Sequence, residues 1–471
     1  MGIPSILNTG RTGMVAAKVA ISTTGHNISN ANTEGFSRQR VHTESTEPQF
    51  AGRNLIGSGT AISRVERVND EYLEKQIRTS NRDMSHFEEK DMALKQTEDI
   101  FNEMNGDGLN RLVSRFFNEF RKLSNEPDNE AVRESVRESS NAMVNDFHRL
   151  RIEVDEVRNH IDSRLEGYTR EVNGLANDLK DLNIKITRME ADGSSANDLQ
   201  DKRDQVLKKL GSYFEIDTHK DKNGAYIVNV RNIGPLVVGP NAESFSVQRT
   251  PADDQGKLDN ALDIRTTASA NGVITHSLKG GKMGALLEVR DQTISSIVDR
   301  LDELAFNLAE SVNDIHQQGY TRNGDLNIAF FKPLAGKERA SETIQLSDAV
   351  RSNVNNIATA AIPDAPGDNR IAIAISGIQG QRLMNDGRST MDDYYNSIVS
   401  DIGITSAKTK AGINQQKDIA TQLTKMREQI SGVSIDEETT NLMQYQHAFD
   451  ASAKVIQVAD EMFKTILELK R

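Results

Sequence analysis

The sequence contains no cysteine and no tryptophan, and only 5% of its 471 residues are aromatic. Without cysteine there are no disulfides, no thiolate chemistry and no Cys-ligated metal. That absence leaves the compartment open, because a chain threaded unfolded through an export channel also does without disulfides. The scarcity of aromatic residues limits how much large planar surface can anchor a core. Excess positive charge is also missing: 57 Lys and Arg stand against 69 Asp and Glu, a formal net charge of -12. No Lys/Arg block supplies the basic face that a nucleic-acid partner requires. No apolar run approaches the ~20 residues that span a bilayer, and mean hydropathy is -0.56. The first fifteen residues hold a single basic residue, Arg11, and no continuous apolar stretch. They do not form a cleaved signal peptide, so any export uses a route without one.

Proline is sparse as well, and its placement organises the chain. None of the nine prolines lies between Pro127 and Pro235 or after Pro366. Because proline breaks helix interiors, both stretches are open to long helices. Phe147, Val154, Ile161, Tyr168, Leu175, Leu182 and Met189 recur every seven residues. A companion row runs Met143, Leu150, Val157, Leu165, Val172, Leu179 and Ile186, with one step of eight. Charged and amide residues fill the spaces, which gives an amphipathic helix with a narrow apolar stripe, roughly 85 Å long at ~1.5 Å per residue. Ala191-Asp192-Gly193-Ser194-Ser195 stops it, and a second helix is expected over about 197–210.

Between Glu215 and Leu278 the pattern becomes β-like. Ala225–Val230, Leu236–Val238, Phe245–Val247 and Val273–Thr275 alternate with the turn signals Asn223-Gly224, Gly239-Pro240-Asn241 and Asn271-Gly272. Helical spacing returns at Leu286, Val289, Ile294, Ile297, Leu301, Leu304 and Leu308. Residues 319–368 are loop-rich, and the chain is helical again from about Thr390 to its end.

Both ends carry heptad stripes. Ile3, Leu7, Gly10, Met14, Ala17, Ile21, Thr24 and Ile28 are spaced alternately by four and three. So are Leu442, Tyr445, Phe449, Ser452, Ile456, Ala459, Phe463 and Ile466. Small residues within the stripes permit close approach but bury little surface, and a lone helix of this kind is marginal in water. The two ends are therefore expected to pair, with each other or with further copies. On periodicity alone they would be ordinary core helices. The first stripe, however, runs into His26-Asn27-Ile28-Ser29-Asn30-Ala31-Asn32-Thr33-Glu34-Gly35-Phe36-Ser37-Arg38-Gln39. Asn30, Asn32 and Gly35 favour a tight turn that presents Phe36.

That segment resembles the N-terminal motif of the rod, hook and hook-associated proteins of the bacterial flagellar axis. Ser431-Gly432-Val433-Ser434-Ile435-Asp436-Glu437-Glu438, continuing through Asn441–Gln446 to Ala451–Ile456, is similar to their C-terminal signature. The middle narrows the resemblance: Asn197-Asp198-Leu199-Gln200-Asp201-Lys202-Arg203-Asp204 and Gly284–Asp291 resemble segments of the hook-associated proteins of the first type, the hook–filament junction family. The resemblance implies self-association into a ring, with hook protein on one side and the second junction protein and filament on the other. It also implies an export chaperone at the C-terminal region and an extracellular place at the hook–filament junction. For that family the chain is short, so an outer domain is expected to be reduced or missing.

No motif for chemistry emerges. None of the nine histidines is followed by Glu, so the His-Glu-x-x-His zinc helix is absent. The half calcium loop at His219–Gly224 has Val230 where its bidentate Glu belongs. Glu88-Glu89 and Glu437-Glu438 most simply form solvated faces. The expected fold is mainly α with a small inserted β domain, built on a long antiparallel helical rod. Residues 1–50 with 430–471 would pair as a coiled-coil-like assembly domain, residues 51–211 with 279–429 would form the rod, and 212–278 the β domain. No catalytic, cofactor or metal residues are assigned, and neither nucleic acid nor membrane is an expected partner. The expected assembly interface is Ile3, Leu7, Met14, Ala17, Ile21, Ile28, Asn30, Asn32, Gly35, Phe36, Leu442, Tyr445, Phe449, Ile456, Phe463 and Ile466.

Overall fold

Long helices form where proline is absent and where a capping side chain starts them. The computed structural model describes residues 3–51, 54–101, 108–222, 224–249, 262–266, 272–365 and 367–469. Asn223, Asn271 and Pro366, which belong to the turn and loop expectations above, lie outside them. So does the side chain of Ile3. In chain order the helices are α1 (Ile3–Ser29), α2 (Glu71–Ile100), α3 (Leu109–Asn125), α4 (Glu130–Ala191), α5 (Asn197–Gly211) and α6 (Gly281–Glu288). Then follow α7 (Ser295–His316), α8 (Ala340–Thr343), α9 (Asp348–Ser352), α10 (Arg370–Gly377), α11 (Met391–Ser431) and α12 (Ile435–Leu469). The Asp70 carboxylate accepts from the Tyr72 and Leu73 N–H groups to start α2. Asn129 does the same for Ala131 at α4, and Thr390 for Asp393 at α11. Each satisfies donors that a helix start leaves orphaned.

Helix α4 runs for 62 residues, about 93 Å at ~1.5 Å per residue, with α3 and α5 against it while α2 pairs with α6 and α11. Its buried face departs from the strict heptad row. Phe147, Val154 and Ile161 are buried, but Tyr168, Leu175 and Leu182 are only half-buried and Met189 is exposed. Seven residues fall ~20° short of two full turns on a straight helix, so six steps carry the row about 120° round the axis. The companion row makes its correction at the eight-residue step, and Met143, Leu150, Val157, Leu165, Val172, Leu179 and Ile186 are buried to the end.

The strands are short. β1 (Gln39–Ser45) pairs antiparallel with β4 (Thr60–Arg67), enclosing β2 (Gln49–Ala51) and β3 (Asn54–Ile56). The division expected at residue 50 falls inside this ribbon, which sequence reading passed over because its alternation is mostly polar. β5 (Ile216–Lys220), β6 (Tyr226–Val230), β7 (Gly234–Val238) and β8 (Asn241–Ala242) make a four-stranded antiparallel sheet in chain order, and β9 (Phe245–Arg249) pairs with β10 (Leu262–Thr266). Val273–Thr275 is not a strand: Val273 makes one bridge to Arg265, and Thr275 opens a short 3-10 turn. The two ends of residues 212–278 are adjacent, since the Lys282 N–H donates to Ser212 O (2.8 Å) and the Glu215 N–H to Lys279 O (3.1 Å). Their core is continuous with that of the helices. Asn183 of α4 exchanges hydrogen bonds with both backbone groups of Tyr226, and Asn173 with both of Phe245.

The scarce aromatics are concentrated rather than spread. Phe116, Phe117, Phe120, Phe330 and Phe331 form one edge-to-face cluster, with Phe330 and Phe331 4.9 Å apart. This cluster orders residues 319–368, where α8 and α9 are the only α-helices among the described residues. His316 lies 5.3 Å from Phe330 and is wholly buried. Its Nδ1–H donates to Ile328 O (2.7 Å), and its Nε2 accepts the Ala358 N–H (2.8 Å). The neutral ring is fully satisfied, and burial pushes its pKa down from 6.5 to about 4. Between those values the unfolded chain binds the extra proton. Stability is therefore complete above pH 6.5 and falls as pH drops toward 4, by about 2 kcal/mol at pH 5. Urea unfolding at pH 7.5 and pH 5 should show this slope in the wild type and a slope smaller by that amount in His316→Gln. Equal slopes in the two proteins would contradict it.

Candidate assembly interface

The terminal helices α1 and α12 lie antiparallel against each other. A Cβ at Gly10 would meet Ile456 Cγ1 at 2.7 Å and Ser452 O at 3.2 Å, and one at Gly13 would meet Ser452 Oγ at 2.8 Å. The helices approach at glycine because nothing larger fits. Ala17 and Ala459 are buried. Leu7, Met14, Ile21, Ile28, Leu442, Tyr445, Phe449 and Ile456 are half-buried, while Phe463 and Ile466 are about half exposed. The pair thus covers one stripe of α12 and leaves its outer end open.

A second apolar row on α12 was not singled out from sequence apart from Ile466, which it shares with the first stripe. Val455, Val458, Met462 and Ile466 are 40%, 47%, 48% and 53% exposed, and Val15 of α1 is open as well. Their spacing of three, four and four turns Val455, Val458 and Met462 to one side of the covered stripe, and the row meets that stripe at its open end, Ile466. Isolated exposed apolar residues are ordinary, but a continuous row on a terminal helix marks an interaction surface.

At the inner end of the pair, three of the four segments singled out by resemblance come together. The turn at Asn30–Gly35 has Gly35 at φ +79°, where a Cβ would run into the Gln205 side chain. Asn30 is half-buried with its side chain on His26 O, and Asn32 is exposed. Phe36 is half-buried and leans edge-on against His26 at 5.4 Å rather than projecting freely. Beyond it the Ser37 N–H donates to Asp201 Oδ2 (3.0 Å), and Arg67 of β4 bonds Asp201 (2.7 Å) and Asp204 (2.9 Å). Burial pushes the Asp201 carboxyl up, against the pull of Arg67 and Ser37. Arg427 of α11 joins Glu74 of α2 (2.7 Å) and donates to Gly35 O (3.3 Å). Gly35, Phe36, Glu74, Asp201, Asp204 and Arg427 line a groove of about 700 Å³ between the turn, α2, α5 and the α11–α12 link.

Arg38 ties this turn to the C-terminus. Its Nε donates to Glu438 Oε1 (2.6 Å), its Nη1 to Glu437 Oε2 (2.7 Å), and its N–H to Ser431 O (3.0 Å). Asn27 Nδ2 donates to Glu438 Oε2 (3.2 Å) and, with Oδ1, holds both backbone groups of Gln39. The solvated-face reading of the acidic pairs therefore needs correcting. Glu438 is 2% exposed and fully partnered, and only Glu437 faces solvent. Glu89 is equally buried, bonded to Arg164 and Tyr168, and burial raises its pKa. Neither pairing could be seen locally, since Arg38 and Glu438 stand 400 residues apart in sequence. The available signal was complementary charge: one arginine in the first motif, three aspartates in the second and two glutamates in the third.

Among the described residues no group of His, Asp or Glu is placed to hold a metal, and no helix is long and apolar enough to cross a membrane. Residues 94–331 match the family model described as flagellar hook-associated protein FlgK helical domain. Residues 7–36 match flagella basal body rod protein, and 428–469 match flagellar basal body rod FlgEFG protein C-terminal. A Bacillus subtilis protein named flagellar hook-associated protein 1 is 27% identical, over 98% of this chain and 97% of its own length. The Escherichia coli protein of the same name is 23% identical, over 99% and 100%. The solved flagellar hook junction protein FlgK from Burkholderia pseudomallei shares the fold, with TM-score 0.66 at 15% identity, covering 76% of this chain and all of that one.

Proposed function

The chain belongs to the flagellar hook-associated protein FlgK family, and from that premise we propose that its paired terminal helices are the surface through which copies join hook to filament. The protein is a structural component of the bacterial flagellum, at the hook–filament junction. The observation that carries the proposal is the open apolar row Val455, Val458, Met462 and Ile466 beside an already paired stripe. One side of α12 is covered by α1, and the other is free to meet a neighbouring copy. Copies arranged in this way close into a ring, which docks on hook protein and presents its far side to the second junction protein and the filament. The work is mechanical: the buried polar joint at Arg38 and Asp201 transmits load from the terminal pair to the rod without a catalytic step.

The exposed apolar end of the same helix also needs covering before assembly. An export chaperone at the C-terminal region would shield Phe463, Ile466 and Leu467, which are about half exposed in the free chain. Export then carries the chain to the outside of the cell. Removing the chain from a flagellated cell should leave hooks without filaments in electron micrographs, and restoring the full-length chain should return filaments to the same hooks. Filaments of normal number and length in cells lacking the chain would sink the proposal.

A further inference from the structure

The contact between α1 and α12 is close at Gly10 and Gly13, but apart from those two glycines it contains little that fixes how far one helix is displaced along the other. Along α1 the buried residues are Gly10, Ala16, Ala17, Ala20 and Thr24 until Asn27 is reached. All are small, and stripes spaced by three and four present the same ridges and grooves again one heptad away. A slip of seven residues moves α12 about 10 Å along its partner and keeps apolar residues opposed to apolar ones. A buried polar network at one position is the feature that tells such registers apart.

We propose that Asn27, Arg38 and Glu438 set the register of the two terminal helices. Glu438 is the residue on α12 that reads the position. Both its oxygens are used, one on Arg38 Nε (2.6 Å) and one on Asn27 Nδ2 (3.2 Å), and it is 2% exposed. Arg38 does not move with α12, because its own backbone belongs to the rod side. The Val68 N–H donates to Arg38 O (2.7 Å), and the flanking Ser37 N–H is held by Asp201. Any slip takes the carboxylate away from a fixed guanidinium and leaves a buried charge without a partner, which the small-residue contact cannot offset. The register in turn decides which residues of α12 project beyond the covered stripe. The inference rests on the reading that the paired terminal helices are the joining surface. It adds that these three positioning residues determine what that surface displays.

The absence of native cysteine makes the test direct. A Cβ at Gly13 would lie 3.6 Å from Ser452 Cβ, within the ~3.5–4.5 Å that a disulfide needs. The full-length G13C/S452C protein should close an internal disulfide on mild oxidation. G13C/Y445C and G13C/A459C, which place the thiols one heptad away on either side, should not. With R38M/E438L added, disulfide yield at G13C/S452C should fall several-fold and the slipped pairs should begin to close, while the circular-dichroism melt of the rod stays unchanged. E438Q, whose single amide oxygen can accept from Arg38 or from Asn27 but not from both, should lie between. Undiminished closure at G13C/S452C in the R38M/E438L protein, with none at the slipped pairs, would overturn the assignment. So would failure of G13C/S452C to close in the otherwise wild-type chain. Filament growth in cells tests the joining surface separately, so register can fail as an explanation while the joining role stands.

Discussion

Val154→Asp is expected to abolish the cooperative unfolding transition of the purified chain or to lower its midpoint drastically. Val154 sits on α4 with no exposed surface, in a row with Leu150, Val157 and Ile161 that forms part of the continuous core. Losing its burial forfeits about 1.5–3 kcal/mol. An unpaired carboxylate in its place costs several kcal/mol more, or shifts its pKa and takes up a proton. Set against a whole-domain stability of about 5–15 kcal/mol, that sum removes most of the margin. Val154→Ala isolates the packing contribution and should cost about 1–3 kcal/mol. A Val154→Asp protein that melts within a few degrees of wild type would show that the α4 face is not the core described here.

Phe449→Asp should have the opposite profile: little effect on the free chain and complete loss of assembly. Phe449 is half-buried on α12, so a carboxylate there keeps water on one side in the monomer. Its cost falls on a terminal helix pair whose fully buried residues are small, which opens locally without unfolding the rod. In the ring proposed above, neighbouring copies would exclude that water and the uncompensated charge would become expensive. The purified variant should therefore melt like wild type. Cells carrying it as their only copy should show hooks without filaments. If Phe449→Asp lowers monomer stability as much as Val154→Asp does, the terminal helices are ordinary core and do not join copies.

Periodicity located the helices well because a helix of sixty residues repeats its signal many times. It misjudged the face of α4 past Ile161, because a strict heptad and a straight helix drift apart by a fixed angle. The companion row held because its eight-residue step between Val157 and Leu165 absorbed that drift. Strands β5 and β10 were missed, and Val273–Thr275 was read as a strand, because runs of three to five residues carry too few alternations to separate a ladder from a turn. The terminal stripes were legible, whereas the joint that anchors them was not. Asn27 and Arg38, Asp201, and Glu438 come from three segments well over a hundred residues apart, and each alone looks like an ordinary exposed polar residue on a helix or loop. Glu89 shows the same limit, since only the fold supplies Arg164 and Tyr168 as its partners. Burial of a charged residue is a property of its partners, and partners distant in sequence leave no local pattern.

The most direct test of the account is to locate the chain in intact flagella by electron microscopy with gold-labelled antibody raised against the rod. If the protein joins hook to filament, the label should form a single narrow band where the two meet. Label along the filament or throughout the hook would contradict it, as would label confined to the cell body.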